Sequence, residues 1–468
     1  MAPPSLSHGL GFTDLYDREG LIRLDAAFVG WLKESHVEAH ARLMAARANP
    51  DGLADKDESN VLIELARPLE GFLDGLFGIA REAADLRGRH NKLAPVFDCK
   101  RLFVQRYVTR TIKADAAMAL DGNKVTADIA LPIRLEDGLE DWELAFALAV
   151  RERAGAEFKI TAPTPEIEAL TRYAAWALHS PEGKKRHRDG PLFKVPHKLD
   201  FEHLVPIETE VVDGVTRMRL PRPMLRHREG FALTDEGFDL VRALDHSNYC
   251  IWCHNQGKDS CSRGLKDRKT GAFQKSPFGV TLAGCPLEEK ISEMNLLKSE
   301  GFSIGALAIA AVDNPLVAAT GHRICNDCMK ACIYQKQEPV DIPQIETRTL
   351  KDVLGLPWGF EIYSLLTRWN PLNLRRPLPS PATGRTVLVV GLGPAGFNLA
   401  HHLMNDGHAV VGIDGLKIEP LPVEQSGVSA DGARHAFAAV RDVASLREDL
   451  DDRAMAGFGG VAEYGITV

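Results

Sequence analysis

The sequence predicts a multidomain protein that combines an α part with an α/β part, and three observations lead to this fold class. The chain has 468 residues, which corresponds to about three domains. In its first half apolar residues recur with a helical period, and seven of the eight cysteines lie between Cys250 and Cys332. A β-branched run leads into a glycine loop at Gly391. We therefore expect a helical N-terminal domain, a cysteine-rich helical domain and the start of a Rossmann-like domain.

Composition and charge restrict the classes of protein to which the chain can belong. Hydrophobic residues make up 45% and charged residues 26%, which is typical of a globular protein and not of a disordered or fibrous one. The net charge of -8 gives no electrostatic reason to expect a nucleic-acid partner. The longest apolar run, Ile304 to Val312, is shorter than the roughly 20 residues of a membrane span, and no secretory signal pattern opens the sequence. A cytoplasmic protein without a membrane span is predicted.

Residues 1–235 are predicted to form a mainly helical domain, to which the sequence assigns no role. Pro68 lies within one amphipathic pattern and predicts a split in that helix. Thr164 and Pro165 form a favoured cap and first turn for a second amphipathic helix. The first pattern places seven apolar side chains on one helical face: Leu62, Leu65, Leu69, Phe72, Leu73, Leu76 and Ala83.

Three shorter stretches and one cysteine of this domain carry their own predictions. Arg101 to Thr111 and Lys124 to Arg134 are rich in β-branched and aromatic residues, which favours strands. The basic run Lys184 to Arg188 is predicted to be a solvated loop, with contact to an anionic partner as the alternative. Cys99 is remote from the other cysteines, and we expect a small buried apolar residue there.

The clustered cysteines form two groups whose spacing is typical of metal ligation. In the first group Cys250 and Cys253 form a C-x2-C pair, followed by Cys261 and by Cys285, which precedes a proline. The second group runs from Cys325 to Cys332 with spacings of x2 and x3. Clustered thiols in a reducing compartment bind metal more often than they form disulfides. Seven cysteines exceed one zinc site, and a Cys-Pro pair is typical of ferredoxin-type runs, so iron–sulfur clusters are favoured and structural zinc remains the alternative.

Several short segments around these cysteines carry a family resemblance: Gly284-Cys285-Pro286-Leu287, Asn295, Gly301, Asn314-Pro315 and Thr320-Gly321. Together with the cysteine groups they resemble the N-terminal iron–sulfur domain of the glutamate synthase small subunit, which also opens dihydropyrimidine dehydrogenase and related NAD(P)H-dependent flavoproteins. The resemblance implies that residues 236–370 form an α-helical domain with two [4Fe-4S] clusters. The implied ligands of the first cluster are Cys250, Cys253, Cys261 and Cys332, and those of the second are Cys285, Cys325, Cys328 and Glu346.

The chain departs from this family pattern between its third and fourth clustered cysteines. Ser262 to Gly284 form an insertion that carries five basic residues: Arg263, Lys266, Arg268, Lys269 and Lys275. A solvated insertion is the simpler interpretation, and a basic docking loop for a redox partner is the alternative. Asn326 also stands where the family usually has a proline.

A proline-rich connector, residues 371–384, precedes a predicted partial nucleotide-binding domain, residues 385–468. Thr386–Val390 is predicted to be a buried parallel strand, and Ala409–Ile413 a second strand that ends at Asp414. Glycines let the backbone approach a pyrophosphate at the N-terminus of the following helix, and Asp414 is placed to accept from ribose hydroxyls. The sequence therefore predicts a dinucleotide site, with an empty glycine turn as the alternative. The candidate loop residues are Gly391, Gly393, Pro394, Ala395 and Gly396.

The position and form of this loop resemble the FAD site of the same family, and Gly459 with Gly460 resembles a later family loop near the flavin. Family members also carry an NAD(P)H domain with its own glycine fingerprint, and no second fingerprint follows here. The resemblance therefore implies FAD as a cofactor, NAD(P)H as a donor bound outside this chain, and a sequence that stops within the FAD domain.

These expectations combine into an NAD(P)H-dependent flavin and iron–sulfur oxidoreductase. Electrons would pass from FAD through two clusters to a partner domain or subunit. No residue of the chain is predicted to act as a catalytic acid, base or nucleophile. Two alternatives remain open, a non-catalytic electron-transfer subunit and a zinc-stabilised interaction protein with a nucleotide site.

Overall fold

A computed structural model describes residues 6–129, 141–155, 157–225, 230, 235–321 and 325–414. This part of the chain is rich in helices and contains two small sheets of two strands each. Within these ranges no helix combines the length and the apolar character needed to cross a membrane. Gly459 and Gly460 lie outside the described residues.

Four helices open the chain: α1 Arg18–Ser35, α2 Val37–Ala48, α3 Asp55–Phe77 and α4 Ala80–Asp98. Their buried side chains share one hydrophobic core with residues of the cysteine-rich region. The split predicted at Pro68 is wrong, because α3 runs without interruption through this residue. The proline removes one backbone donor, and the fully buried Leu65, Leu69 and Leu73 hold that segment of the helix against the core.

A second hydrophobic core lies between residues 96 and 193. Cys99–Val108 is a π-helical stretch, followed by the short helix α5 Thr109–Thr111. The strand predicted over 101–111 is therefore wrong. Phe103, Val104 and Val108 are fully buried there, so tertiary packing overrides the local β propensity. Cys99 is fully buried in the same core, as expected.

The rest of this region is also helical, with α6 Ala114–Met118, α7 Gly122–Asp128, α8 Trp142–Ala154, α9 Pro165–His179 and α10 Pro181–Arg186. The second predicted strand begins inside α7, which is capped by Asp121, and residues 130–134 lie outside the described part. The predicted start of α9 is confirmed, because the Thr164 hydroxyl accepts from the Ile167 N–H and Pro165 is the first helical residue. The basic run does not form a loop throughout, since α10 takes its first three residues.

An exposed antiparallel hairpin, β1 Glu208–Val212 and β2 Val215–Arg219, precedes the cysteine-rich helices. Those helices are α11 Leu240–Tyr249, α12 Ser260–Arg263, α13 Ile291–Glu300, α14 Ser303–Asp313, α15 Val317–Thr320, α16 Asp327–Ala331, α17 Ile342–Leu354 and α18 Gly359–Leu366. Helix α14 packs against α13, α17 and α3. The start of the predicted connector is anchored to this core, because Trp369 and Leu372 are buried and the Asn370 amide donates to the Ala308 carbonyl over 2.7 Å.

The last described unit has the order strand, helix, strand, as predicted. The burial predicted for the first strand is wrong, because within Thr386–Val390 only Val389 is buried and Leu388 and Val390 are exposed. Strands β3 Thr386–Val390 and β4 Ala409–Ile413 are parallel, with Thr386 opposite Ala409, and helix α19 Pro394–Asn405 connects them. This is the βαβ arrangement from which a Rossmann-like sheet is built.

Contact between α3 and α14 leads to a first prediction. A Cβ atom on Gly305 would lie 2.8 Å from the Ala66 carbonyl oxygen, and the Gly305 N–H donates to Glu70 over 3.0 Å. Gly305→Ala is therefore expected to lower the free energy of unfolding by about 1–3 kcal/mol, measured by urea denaturation. Gly75→Ala on the exposed face of α3, where a Cβ would meet nothing within 4 Å, is the control and should be neutral or stabilising. Equal losses in the two variants would contradict this account of the helix contact.

Candidate metal centres and nucleotide loop

The structure brings four of the predicted ligands together around one cavity. Cys250 ends α11, Cys253 opens a short 3-10 helix, Cys261 lies in α12 and Cys332 follows α16. All four line the same small cavity, which lies between these elements and α13. Residues separated by up to 82 positions in sequence thus line one cavity.

The insertion at 262–284 does not separate the two parts of the motif in space. The Cys285 N–H donates to the Cys261 carbonyl over 2.7 Å, and the Leu265 N–H donates to the Leu282 carbonyl over 2.9 Å. A Cβ atom on Gly284 would lie 2.5 Å from the Gly264 nitrogen, so this close approach requires glycine. The chain leaves and returns at the same place, and the third and fourth cysteines of the motif stay neighbours.

Burial and backbone donors act in opposite directions on the thiols. Burial raises the pKa of Cys250 and of Cys253 to about 12, and raises the pKa of Cys261 well above its usual range. The Trp252 N–H donates to the Cys250 sulfur over 3.4 Å and counteracts this shift. Backbone N–H groups act in the same direction on four other thiols: Ser260 on Cys253, Glu289 on Cys285, Met329 on Cys328 and Val340 on Cys332. These backbone donors therefore act to stabilise the thiolate form, although burial outweighs them at each of these cysteines.

Asn295 of α13 lines the cavity of the first thiol set and was not predicted as a site residue from chemistry. Its side chain is fully buried, and neither its amide nitrogen nor its amide oxygen has a hydrogen-bond partner with good geometry. The amide still lies close enough to Cys250 to lower the pKa of that thiol. An unsatisfied buried amide is costly in an apolar cavity, so this polar edge fits a site built around a polar group.

Three residues of the second predicted set, Cys285, Cys328 and Glu346, lie close enough together for their charges to interact. Glu346 lies in the first turns of α17 and is buried, as is Cys328. Burial raises the pKa of Cys328 well above its usual range, and the nearby Glu346 carboxyl acts in the same direction. Burial likewise raises the pKa of Cys285 to about 11, with Glu346 again adding to the shift. Cys325, the remaining predicted ligand, is exposed, and its charge acts on the buried Glu289.

Glu289 is a member of this second set that sequence reasoning missed. Its side chain is fully buried, hydrogen-bonds to Glu346, and leaves its Oε1 atom without a partner. Burial raises the pKa of Glu289 well above the usual range, and the negative potential of Glu346 and Asp313 adds to the effect. Its position four residues after Cys285 was the available signal, but a lone glutamate in sequence is normally exposed.

In the described ranges no three His, Cys, Asp or Glu side chains form a group arranged to hold a metal ion. The cysteine sets are therefore defined by the cavity that the first lines and by the electrostatic contacts of the second.

The glycine loop has the geometry that its sequence predicts. Gly391 has a φ of 93°, and a Cβ on Gly396 would lie 1.8 Å from the Gly391 oxygen, so both positions require glycine. A Cβ on Gly393, at the N-terminus of α19, would meet nothing within 4 Å. The Asp414 carboxylate accepts from the Leu392 N–H over 2.5 Å, which places the acidic end of β4 beside the loop. Pro394 and Ala395 form the first turn of α19.

Comparison with known proteins gives partial matches. A family model described as the RP005 N-terminal alpha-helical domain matches residues 6–78. Uncharacterized protein RP005 of Rickettsia prowazekii is 28% identical over 309 residues, which are 63% of this chain and 98% of that protein. Uncharacterized protein RP006 of the same organism is 54% identical over 153 residues, which are 33% of this chain.

A third match concerns an oxidoreductase subunit. The glutamate synthase [NADPH] small chain of Mycobacterium tuberculosis is 34% identical over 128 residues, or 27% of this chain. The chain spans only 20% of the length of RP006 and 23% of the length of that small chain. The similarity indicates a relation to an oxidoreductase subunit over about a quarter of the chain.

Proposed function

We propose that the chain belongs to an NAD(P)H-dependent flavin and iron–sulfur oxidoreductase, and that it carries two [4Fe-4S] clusters and part of the FAD site. Its role in this proposal is to pass single electrons between the flavin and a partner domain or subunit. The partial similarity to a glutamate synthase small chain supports the same class of chemistry.

The observation that carries the proposal is the convergence of Cys250, Cys253, Cys261 and Cys332 on one cavity. The hydrogen bond between Cys285 and Cys261 makes the second set its direct neighbour. Single structural zinc ions also accept four thiolates, but two adjacent sets suit electron transfer between centres better than they suit structural support. The second set also combines three thiols with carboxylates, an unusual composition for a structural zinc site.

Clusters held there would supply one-electron steps, while bound flavin exchanges two electrons with a nicotinamide. The chain's own residues would hold the thiolates and keep them buried, with the Trp252 N–H directed at Cys250. Glu346 would close the second site, with Glu289 fixing its orientation through their hydrogen bond. Gly393 leaves open the space in which a pyrophosphate approaches the N-terminus of α19.

Anaerobic purification followed by metal, sulfide and flavin analysis tests the proposal. We expect about eight iron and about eight acid-labile sulfide ions per chain, four of each for every cluster. The protein should be brown and should bleach on reduction with dithionite. Stoichiometric zinc without sulfide would refute the proposal in favour of a zinc-stabilised protein.

The nucleotide part has a separate test in Gly393→Ala. The added methyl group meets no protein atom, so the fold should be unaffected, but it fills the space that a bound pyrophosphate needs. We expect the affinity for FAD to fall by about tenfold or more, measured by flavin fluorescence, with an unchanged urea midpoint. Gly75→Ala serves as the matched control and should bind flavin like the parent chain. Unchanged flavin affinity in Gly393→Ala would show that the loop is an empty turn.

A further inference from the structure

The insertion forms an exposed ribbon, which we define as residues 264–284 and call the basic ribbon. Backbone hydrogen bonds fold it onto itself, with the Gln274 N–H donating to Leu265 over 2.8 Å and the Ser276 N–H to Val280 over 2.8 Å. All residues from 266 to 281 are exposed except Ser276, which is half-buried. A small ribbon that buries so little of itself gains little stability from its own packing. The regular backbone hydrogen bonds of the ribbon nevertheless distinguish it from a merely solvated loop.

The basic ribbon has a charge opposite to that of the whole chain. The chain carries a net charge of -8, whereas the insertion holds five cations and one acid, Asp267. Arg263 is engaged by Asp55 and Glu288. The other four cations form no ion pair within the part of the chain that the structure describes: Lys266, Arg268, Lys269 and Lys275. Unpaired cations concentrated on one projection create a local positive potential that attracts an acidic surface.

Apolar side chains stand among these charges. Phe278 is 63% exposed and Val280 47% exposed, and Phe273 is also exposed on the same ribbon. Exposed aromatic groups surrounded by polar residues are typical of a protein interface and cost free energy in water. Duplex DNA would use the cations through its phosphates and leave the exposed aromatic groups without a role.

The ribbon also borders an opening to the first thiol set. A cavity of about 920 Å³ lies between its base and α3. The walls of this cavity carry charges of both signs, and they include Cys253 together with the ribbon cations Lys266 and Arg268. A partner bound to the basic ribbon would thus lie next to Cys253, at one side of the first thiol set.

We propose that the basic ribbon docks an acidic one-electron carrier protein. This inference rests on the proposed function, because it names the partner of the same redox site. The four unpaired cations steer the carrier, the exposed aromatic groups form the centre of the contact, and the cavity brings the carrier's redox centre toward Cys253. One electron passes from the reduced site to the oxidised carrier, and no covalent bond forms or breaks.

The test measures binding of an acidic [2Fe-2S] ferredoxin to the full chain by isothermal titration calorimetry at low and high salt. Binding does not require electron transfer, so it is measured independently of cluster content. We expect an affinity that weakens with salt, and a loss of about tenfold or more in the triple charge reversal K266E/R268E/K269E. The control reverses three exposed cations of another basic run, K184E/K185E/R188E, and should leave the affinity within about twofold.

Each outcome separates this inference from the proposed function. Clusters present with ferredoxin affinity equal in the two triple variants would overturn the docking surface and leave the redox proposal intact. Absence of iron and sulfide with preserved, ribbon-dependent binding would overturn the redox proposal alone. Binding of phosphatidylserine vesicles or duplex DNA in place of ferredoxin, lost in the ribbon variant, would assign the surface to a different class of partner and reject the carrier.

Discussion

Replacing Cys332 with serine is expected to lower the iron content from about eight to about four ions per chain, or fewer. Cys332 is buried and lines the cavity of the first set with three other cysteines. A serine hydroxyl at this position supplies neither the negative charge nor the softness of a thiolate. Acid-labile sulfide should fall in parallel. The measurement is chemical iron and sulfide analysis, with electron paramagnetic resonance of the dithionite-reduced protein to identify the remaining cluster.

Cys99→Ser is the matched control for this variant. Cys99 is also buried, but it lies in the second hydrophobic core and not in either thiol set. Its replacement is expected to reduce stability without changing the iron content. A Cys332→Ser protein that keeps its full iron and sulfide would remove Cys332 from the ligand set and with it the proposed first cluster.

The second large effect is expected at Lys298, whose ammonium group is fully buried beside Asp352. This ion pair connects α13 with α17, and the Lys298 nitrogen also lies 3.1 Å from the His90 ring of α4. Burial acts to raise the pKa of Asp352, but Lys298 and Arg348 outweigh it and hold that pKa below its usual range. Lys298→Met leaves a buried carboxylate whose remaining partners are the peripheral Arg348 and the His90 ring, with the His90 Nε2 atom 3.8 Å from Asp352. We expect the free energy of unfolding to fall by about 3 kcal/mol or more in urea denaturation.

A double variant and a surface control test the cause of that loss. Lys298→Met combined with Asp352→Leu removes both charges and should recover much of the stability, because apolar replacement of a whole buried pair is often neutral. Lys159→Met breaks the exposed pair with Glu157 and should cost less than about 1 kcal/mol. If the double variant is no more stable than Lys298→Met, the unpaired charge is not the source of the effect.

Local signals in the sequence were sufficient to predict several elements of the fold. The strands Thr386–Val390 and Ala409–Ile413 have the predicted bounds, because a continuous β-branched run beside a glycine loop has few other solutions. Thr164 caps α9 because its hydroxyl acts within one turn. The cysteines of the first set line one cavity, and their role as ligands stays a prediction.

Features that depend on distant contacts were not predictable in the same way. The helix through Pro68 and the π-helical stretch at Phe103 are determined by the cores against which they pack. No local pattern indicates that the first three helices share a core with residues beyond Cys250. Glu289 was missed for a related reason, since its burial follows from the packing around α13 and α17 and not from its neighbours in sequence.

The paired glycines at 264 and 284 have a consequence for how this region tolerates change. Their backbones touch, so the segment between them is attached through a narrow neck whose two ends are already held together. Lengthening, shortening or exchanging the basic ribbon would change the surface offered to a partner without moving the sulfur atoms of the first thiol set. Under the proposed function, partner recognition and electron transfer would then depend on separately adjustable parts of one chain.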